Sequence, residues 1–359
     1  MTGCPYNALA IADDAAILAA DDNCPPKSPV CLLNKKCVLL NADCKTLLST
    51  LTKDLTGMTL PLVSFYPFAA VGNLANYPNA TLGVDCAGGY LDLSTLLFPA
   101  KFTTTRLNRP TIALHRCKLR SLSAEIKWPT NLETLSLIDN QLSALPPNLP
   151  QGLRTLRLSS NHIQDISKLR TVPLTYLDLR ANALTSIQDM TWPALNYLEL
   201  GGNSALQTIK HVQLTNAIEY VGATATALTD WIMDETTYLA LRRLTPTASN
   251  TSTLDTASIS GVVRSSTFCD AIENAALKPL WSVDASSTWK VCVMGSPNGK
   301  APPTTNNTTW VITAAVIALI ALLGVLYKRW RRRAWTEPSD GLATELDAFE
   351  PIRIPSRDL

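Results

Sequence analysis

"LRTLRLSSNHI" (153–163) and "LTYLDLRANAL" (174–184) share one grammar, L-x-x-L-x-L-x-x-N-x-L, and so do "LETLSLIDNQL" (132–142) and "LNYLELGGNSA" (195–205). Two weaker copies flank them: "RPTIALHRCKL" (109–119), with Cys117 in the Asn place, and "IEYVGATATAL" (218–228), with Thr226 there. The Asn-equivalent positions 117, 140, 161, 182, 203 and 226 are spaced 23, 21, 21, 21 and 23 residues. A leucine-rich helix would instead repeat at about 3.6 residues. The x-L-x-L-x core predicts a short strand with leucines on one face and the x residues on the other. The Asn side chain suits the backbone groups of the turn that follows. Pro129, Pro146, Pro147, Pro150, Pro173 and Pro193 disfavour long helices between the strands. No single copy can bury its own apolar face, so the copies are expected to stack cooperatively.

This pattern is that of the leucine-rich repeat, and the resemblance covers residues 109–228. It implies an α/β-type solenoid: a horseshoe of about six coils with disulfide-stapled flanks. On such a frame the x positions form columns across the strands. One column reads Thr111, Thr134, Thr155, Tyr176, Tyr197 and Tyr220; the next reads Ala113, Ser136, Arg157, Asp178, Glu199 and Gly222. A third carries His115, Ile138, Ser159, Arg180, Gly201 and Thr224. Strands about 4.8 Å apart would put the three tyrosines on adjacent rungs. Tyr176, Tyr197, Tyr220, Arg157, Asp178, Arg180 and Glu199 are therefore the expected ligand-binding residues, since tyrosine and arginine are enriched at binding hot spots. The alternative is that Arg157–Asp178 and Arg180–Glu199 are cross-strand ion pairs beneath tyrosines that only cover the sheet.

The flanks carry cysteine. Cys24, Cys31, Cys37 and Cys44, at intervals of 7, 6 and 7, predict a disulfide-stapled region ahead of the repeats. Zinc would want a C-x-x-C pair, and none is present, so no metal is expected. Cys117 sits in a repeat position and is expected to be a buried free thiol. Cys269 and Cys292 bracket Trp281 and Trp289, and a Cys269–Cys292 disulfide closing a C-terminal cap is expected.

From Trp310 to Tyr327 run 18 residues without a charge, and five basic residues follow within 328–333. At about 1.5 Å per residue, a helix there would nearly cross a hydrocarbon core of about 30 Å. The basic flank would place the C-terminus in the cytosol and the long N-terminal part outside. Ala314 and Ala318 form a small-x-x-x-small pair suited to a helix dimer. All nine cysteines and all four N-x-[ST] sites (Asn79, Asn250, Asn306 and Asn307) precede this segment, as an oxidising, glycosylating compartment requires. The start, "MTGCPYNALAIADDAAILAADDNC", lacks a basic n-region, and Asp13 and Asp14 break its apolar run, so a secretory leader is expected ahead of Met1.

Charge is balanced, 31 basic against 29 acidic residues, which argues against a nucleic-acid partner. There is no H-E-x-x-H, G-x-S-x-G, P-loop or kinase signature, so neither enzymatic activity nor a cofactor is expected. The expected layout is an N-terminal cap (1–108), repeats (109–243), a Ser/Thr-rich segment with C-terminal cap (244–294), a stalk (295–309), a membrane helix (310–327) and a tail (328–359). Together these features resemble a leucine-rich-repeat receptor of the receptor-like-protein or receptor-like-kinase type. The layout is similar to the ectodomain and anchor of oomycete tyrosine-kinase-like receptors. The tail, ending "ELDAFEPIRIPSRDL", resembles a juxtamembrane segment, and no kinase domain follows it. The resemblance implies a single-pass plasma-membrane protein that binds a protein, peptide or glycan ligand and signals through a co-receptor kinase or as a homodimer. A receptor kinase lacking its kinase domain, and an adhesion or cell-wall-contact protein, are the alternatives.

Overall fold

The computed structural model describes residues 3–27, 29–41, 50–53, 59–64, 68–104, 109–244, 257–259, 269–272, 274–284 and 287–295. The first strands in chain order are β1 (Ala16–Ala19), β2 (Cys31–Leu33), β3 (Leu39–Asn41), β4 (Thr50–Lys53), β5 (Thr59–Ser64), β6 (Phe68–Val71) and β7 (Thr81–Asp85). There follow β8 (Thr111–His115), β9 (Thr134–Ser136), β10 (Thr155–Arg157), β11 (Tyr176–Asp178), β12 (Ser186–Gln188), β13 (Thr191–Trp192) and β14 (Tyr197–Glu199). The last are β15 (Thr208–Lys210), β16 (Gln213–Leu214), β17 (Tyr220–Ala223), β18 (Asp230–Asp234), β19 (Ala257–Ile259), β20 (Ala275–Asp284) and β21 (Ser287–Met294). A single α-helix among the described residues, α1 (Glu235–Arg242), starts on Asp234, whose carboxylate accepts the Thr237 N–H.

The main sheet has ten strands in the order β19-β17-β14-β11-β10-β9-β8-β7-β5-β4. All its neighbours are parallel except β4 and β5. From β9 to β14 the pairing joins residues 21 apart: Thr134 to Thr155, Thr155 to Tyr176, Tyr176 to Tyr197. Leu135, Leu137, Leu156, Leu158, Leu177, Leu179, Leu198 and Leu200 all point into one core. The chain turns sharply after each strand. Arg116, Asp139, Ser160, Ala181, Gly202 and Ala225 all adopt left-handed backbone, φ from +49° to +75°, in successive turns. Only Gly202 has the residue type that usually fills such a position. A buried Asn follows three of these turns. Asn161 accepts the Leu142 N–H at 3.0 Å and donates to the Leu137 and Leu158 carbonyls, so neighbouring turns satisfy each other's backbone.

Residues between the strands form turns, a short 3-10 helix (Ser167–Thr171) and smaller sheets, in the orders β12-β15-β18-β21-β20 and β13-β16. The N-terminal residues form a four-stranded sheet, β3-β2-β1-β6. Strand β1 alternates: Ile17 and Ala19 join a small separate core with Tyr6, while Ala16 and Leu18 face the main one. Tyr6 donates to Asp21 and accepts from the Asn73 N–H, which ties the start of the chain to β6. Cys4 is bonded to Cys37 and Cys24 to Cys31. Trp281 closes the other end, donating to the Leu241 carbonyl at 3.0 Å and lying edge-on to Trp231. Cys269 is bonded to Cys292 nearby.

Three expectations are overturned. The α/β-type solenoid, a leucine-rich-repeat horseshoe of about six coils plus a transmembrane helix, gives way to mainly parallel sheets with one eight-residue helix among the described residues. Proline is a physical reason: it removes an N–H and clashes with the preceding turn, so the short return segments that carry Pro129, Pro146, Pro147, Pro150, Pro173 and Pro193 do not wind into α-helices. The main sheet also runs past residues 109–228 on both sides, through β7, β5 and β4 and through β19. Second, Cys117 is no free thiol. It is bonded to Cys86, which links the turns after β7 and β8. Third, no helix among the described residues is long and apolar enough to cross a membrane. The 310–327 segment and the tail lie outside the described residues, and so do Cys44, Asn250, Asn306 and Asn307. The single-pass plasma-membrane placement, and the membrane receptor reading that depended on it, are withdrawn. Asn79 lies exposed, ahead of β7.

Candidate functional site

The side of the main sheet opposite the leucine core carries the polar residues. On β11, β14 and β17, register places Tyr176, Tyr197 and Tyr220 side by side. Their rings stack in parallel, with centroids 4.3 Å apart in both pairs and planes 3° and 9° from parallel. The sheet fixes that spacing, because adjacent strands lie about 4.8 Å apart. Each ring is half-buried. The Arg157 guanidinium on β10 lies 5.8 Å from the Tyr176 ring centroid and extends the stack by a cation–π contact.

Beneath the rings lies a row of buried charge. Arg157 is 1 % exposed, Asp178 0 % and Glu199 5 %. Asp178 is held by Arg180 in a two-point contact, Nε to Oδ1 at 3.0 Å and a terminal nitrogen to Oδ2 at 2.7 Å, and it also accepts the Arg180 N–H. The alternative reading paired Arg180 with Glu199 across strands; instead Arg180 folds back onto Asp178 of its own strand. The bonded Asp178 keeps the Arg180 guanidinium protonated well above the usual range. Glu199 accepts the Tyr220 hydroxyl at 2.8 Å and the Gly201 N–H at 3.0 Å. Gly222 leaves room for that carboxylate, since a Cβ there would stand 2.3 Å from Glu199 Oε1. Burial pushes the Glu199 carboxyl up from the ordinary 4.5, and its two hydrogen bonds partly oppose this. Burial also raises the Tyr197 and Tyr220 phenols, so both stay neutral through physiological pH.

A carboxyl raised in the folded state binds its proton more readily there than in the unfolded chain. Its contribution to stability is complete below about 4.5 and is lost as pH rises through the raised value. Glu199→Gln removes the titration. Urea midpoints for the two proteins should therefore converge toward acid pH, with the variant gaining on the native chain as pH rises above 4.5. A difference curve that is flat or of opposite slope between pH 4 and 7 would contradict this reading of Glu199.

Among the seven residues expected to bind ligand, the structure brings all seven into one patch but divides their roles. The three tyrosines and Arg180, whose side chain is 29 % exposed, present surface. Arg157, Asp178 and Glu199 are buried and hold those groups in place. Gly201 and Gly222 belong to the patch as well, and the sequence signal for them is small residues in columns otherwise filled by larger ones. Further along the sheet, His115 Nε2 lies 2.7 Å from the Ser136 hydroxyl. The Ser136 side is 0 % exposed, so a substrate carbonyl could not meet that hydroxyl for nucleophilic attack. No protein-family model matches the chain, and no curated protein matches it.

Proposed function

We propose that this chain is a disulfide-stabilised recognition module that works in an oxidising compartment outside the cytosol and holds a protein or peptide partner against its tyrosine stack. The stack is the observation that carries the reading. Three half-buried rings are already ordered by register, by Arg157 and by Glu199, so little side-chain entropy remains to be lost on binding. Four disulfides support the compartment. A peptide fits better than a sugar at this place. A sugar stacks on a ring face, and here the faces of Tyr197 are both occupied by its neighbours, which leaves ring edges to the solvent. Binding rather than catalysis is the role we assign to the chain.

Peptides selected from a random displayed library on the full chain provide the test. Tyr197→Ala should weaken the selected binders about 30-fold, the scale of a hot spot of about 2 kcal/mol, while Tyr197→Phe retains them. Gln213→Ala, exposed on β16 away from the main sheet, serves as the control. Binders indifferent to both Tyr197→Ala and Tyr176→Ala would remove the stack from the function.

A further inference from the structure

A second surface, distinct from the tyrosine stack, lies where the chain leaves β7, β8 and β9. The turns there enclose an open recess of about 240 Å³, lined among others by Gly88, Arg116, Lys118, Asp139 and Gln141. Later turns carry small residues at the same left-handed place: Ser160, Ala181, Gly202 and Ala225 stand where Arg116 and Asp139 stand here. Long polar side chains therefore wall the recess at this end of the sheet alone among those turns. Its volume is below the ~300–1,000 Å³ usual for a drug-sized ligand, which sets the scale at a single small ring.

The chemistry of the lining narrows the ligand. The Arg116 guanidinium is already neutralised by Asp85, with Nε to Oδ1 at 2.8 Å and a terminal nitrogen to Oδ2 at 2.5 Å. Lys118 and Asp139 add one charge of each sign, so the lining taken together with Asp85 has no net charge to draw an anion. The backbone offers no anion cradle either. The N–H groups of Gly88, Arg116, Asp139, Asn140 and Gln141 are all bonded to carbonyls. Asp139 is the one carboxylate of the lining, too few for a metal ion. What is presented is an acceptor beside an ammonium and an amide, the set that vicinal hydroxyls satisfy, since each hydroxyl both donates and accepts.

We infer that this recess is a subsite for a neutral hexose at the end of a glycan chain, with Asp139, Lys118 and Gln141 taking its hydroxyls. The site is independent of the peptide reading, because it shares no residue with the tyrosine stack. Saturation-transfer NMR on the full chain with free mannose, galactose, glucose and N-acetylglucosamine tests it. At least one hexose should receive saturation, and Asp139→Asn and Gln141→Ala should each weaken that binding about tenfold, the scale of one lost hydrogen bond. Asparagine tolerates the left-handed backbone at 139, where φ is +55°, so the first variant keeps the turn. Absence of transfer to all four sugars at millimolar concentration overturns the inference, as does transfer that survives both variants. Binding of inorganic phosphate in place of sugar overturns it too, because it would reveal a net positive site.

Discussion

Cys86→Ser/Cys117→Ser is expected to lower the unfolding free energy by about 3–4 kcal/mol in urea titrations followed by tryptophan fluorescence. The two cysteines are 31 residues apart, and closing a loop of that length removes about 3.7 kcal/mol of conformational freedom from the unfolded chain. The bond also has a place in the folded state. Cys117 is fully buried among the core residues, in the turn after β8, and the link draws the turn after β7 onto it. Cys24–Cys31 closes a span of only 7 residues, so the same loss there should cost about 2.4 kcal/mol. The ranking is the sharper test: a smaller effect at Cys86–Cys117 than at Cys24–Cys31 would mean that the long loop is already ordered in the unfolded chain.

Cys117 also marks how far the sequence could be read. Apolar residues at period 2 identify β8, β9, β10, β11, β14 and β17, because burial of alternate side chains is a constraint that each strand carries alone. Strand β7 has the same alternation in Leu82 and Val84, but no Asn follows it and its partner Thr111 lies 30 residues from Thr81, so the spacing gives it no signal. The α/β expectation came from the resemblance and not from these residues, whose prolines argued the other way. Pairing of Cys117 with Cys86 depends on a contact between turns, which an odd count of nine cysteines cannot reveal. The left-handed turns were equally hidden, because Arg116, Asp139, Ser160, Ala181 and Ala225 lack the glycine that would have announced them.

The candidate site shows the same division. Its columns follow from alternation and a fixed pitch, so the tyrosines could be placed on adjacent rungs from the sequence alone. The ion pair could not. Arg180 stands at the end of β11, just before Ala181 turns left-handed, and from there its side chain reaches Asp178 two residues back. Cross-strand pairing assumes side chains held square to a continuing strand, and the strand has stopped.

Asn140→Ala should cost about 3 kcal/mol, because this one amide serves five backbone groups. Its oxygen accepts the Cys117 N–H at 3.0 Å and the Leu119 N–H at 3.2 Å. Its nitrogen donates to the carbonyls of Leu114 at 2.8 Å, and of Leu137 and Ile138 at 3.1 Å. The residue is 6 % exposed, so water cannot replace these bonds without opening the turn. Alanine leaves two buried N–H groups unmet at about 1–3 kcal/mol each, about 2–6 kcal/mol together, and partial relaxation of the turn keeps the sum in the lower part of that range. Asn140→Asp tests the accounting from the other side. A carboxylate still accepts both N–H groups but sets oxygen against three carbonyls, so it should be no milder than alanine. Gln141→Ala, half-buried and one residue away, loses only a 3.3 Å contact with Arg120, so it controls for the turn itself and should cost no more than about 1 kcal/mol. The effect should also couple to the disulfide. Asn140 holds the N–H of Cys117, so the triple variant Asn140→Ala/Cys86→Ser/Cys117→Ser is expected to lose less than the two separate costs combined, by about 0.5–3 kcal/mol. Simple additivity would show that the Asn140 amide and the Cys86–Cys117 bond stabilise the turn independently, and that the shared Cys117 N–H carries no energy between them.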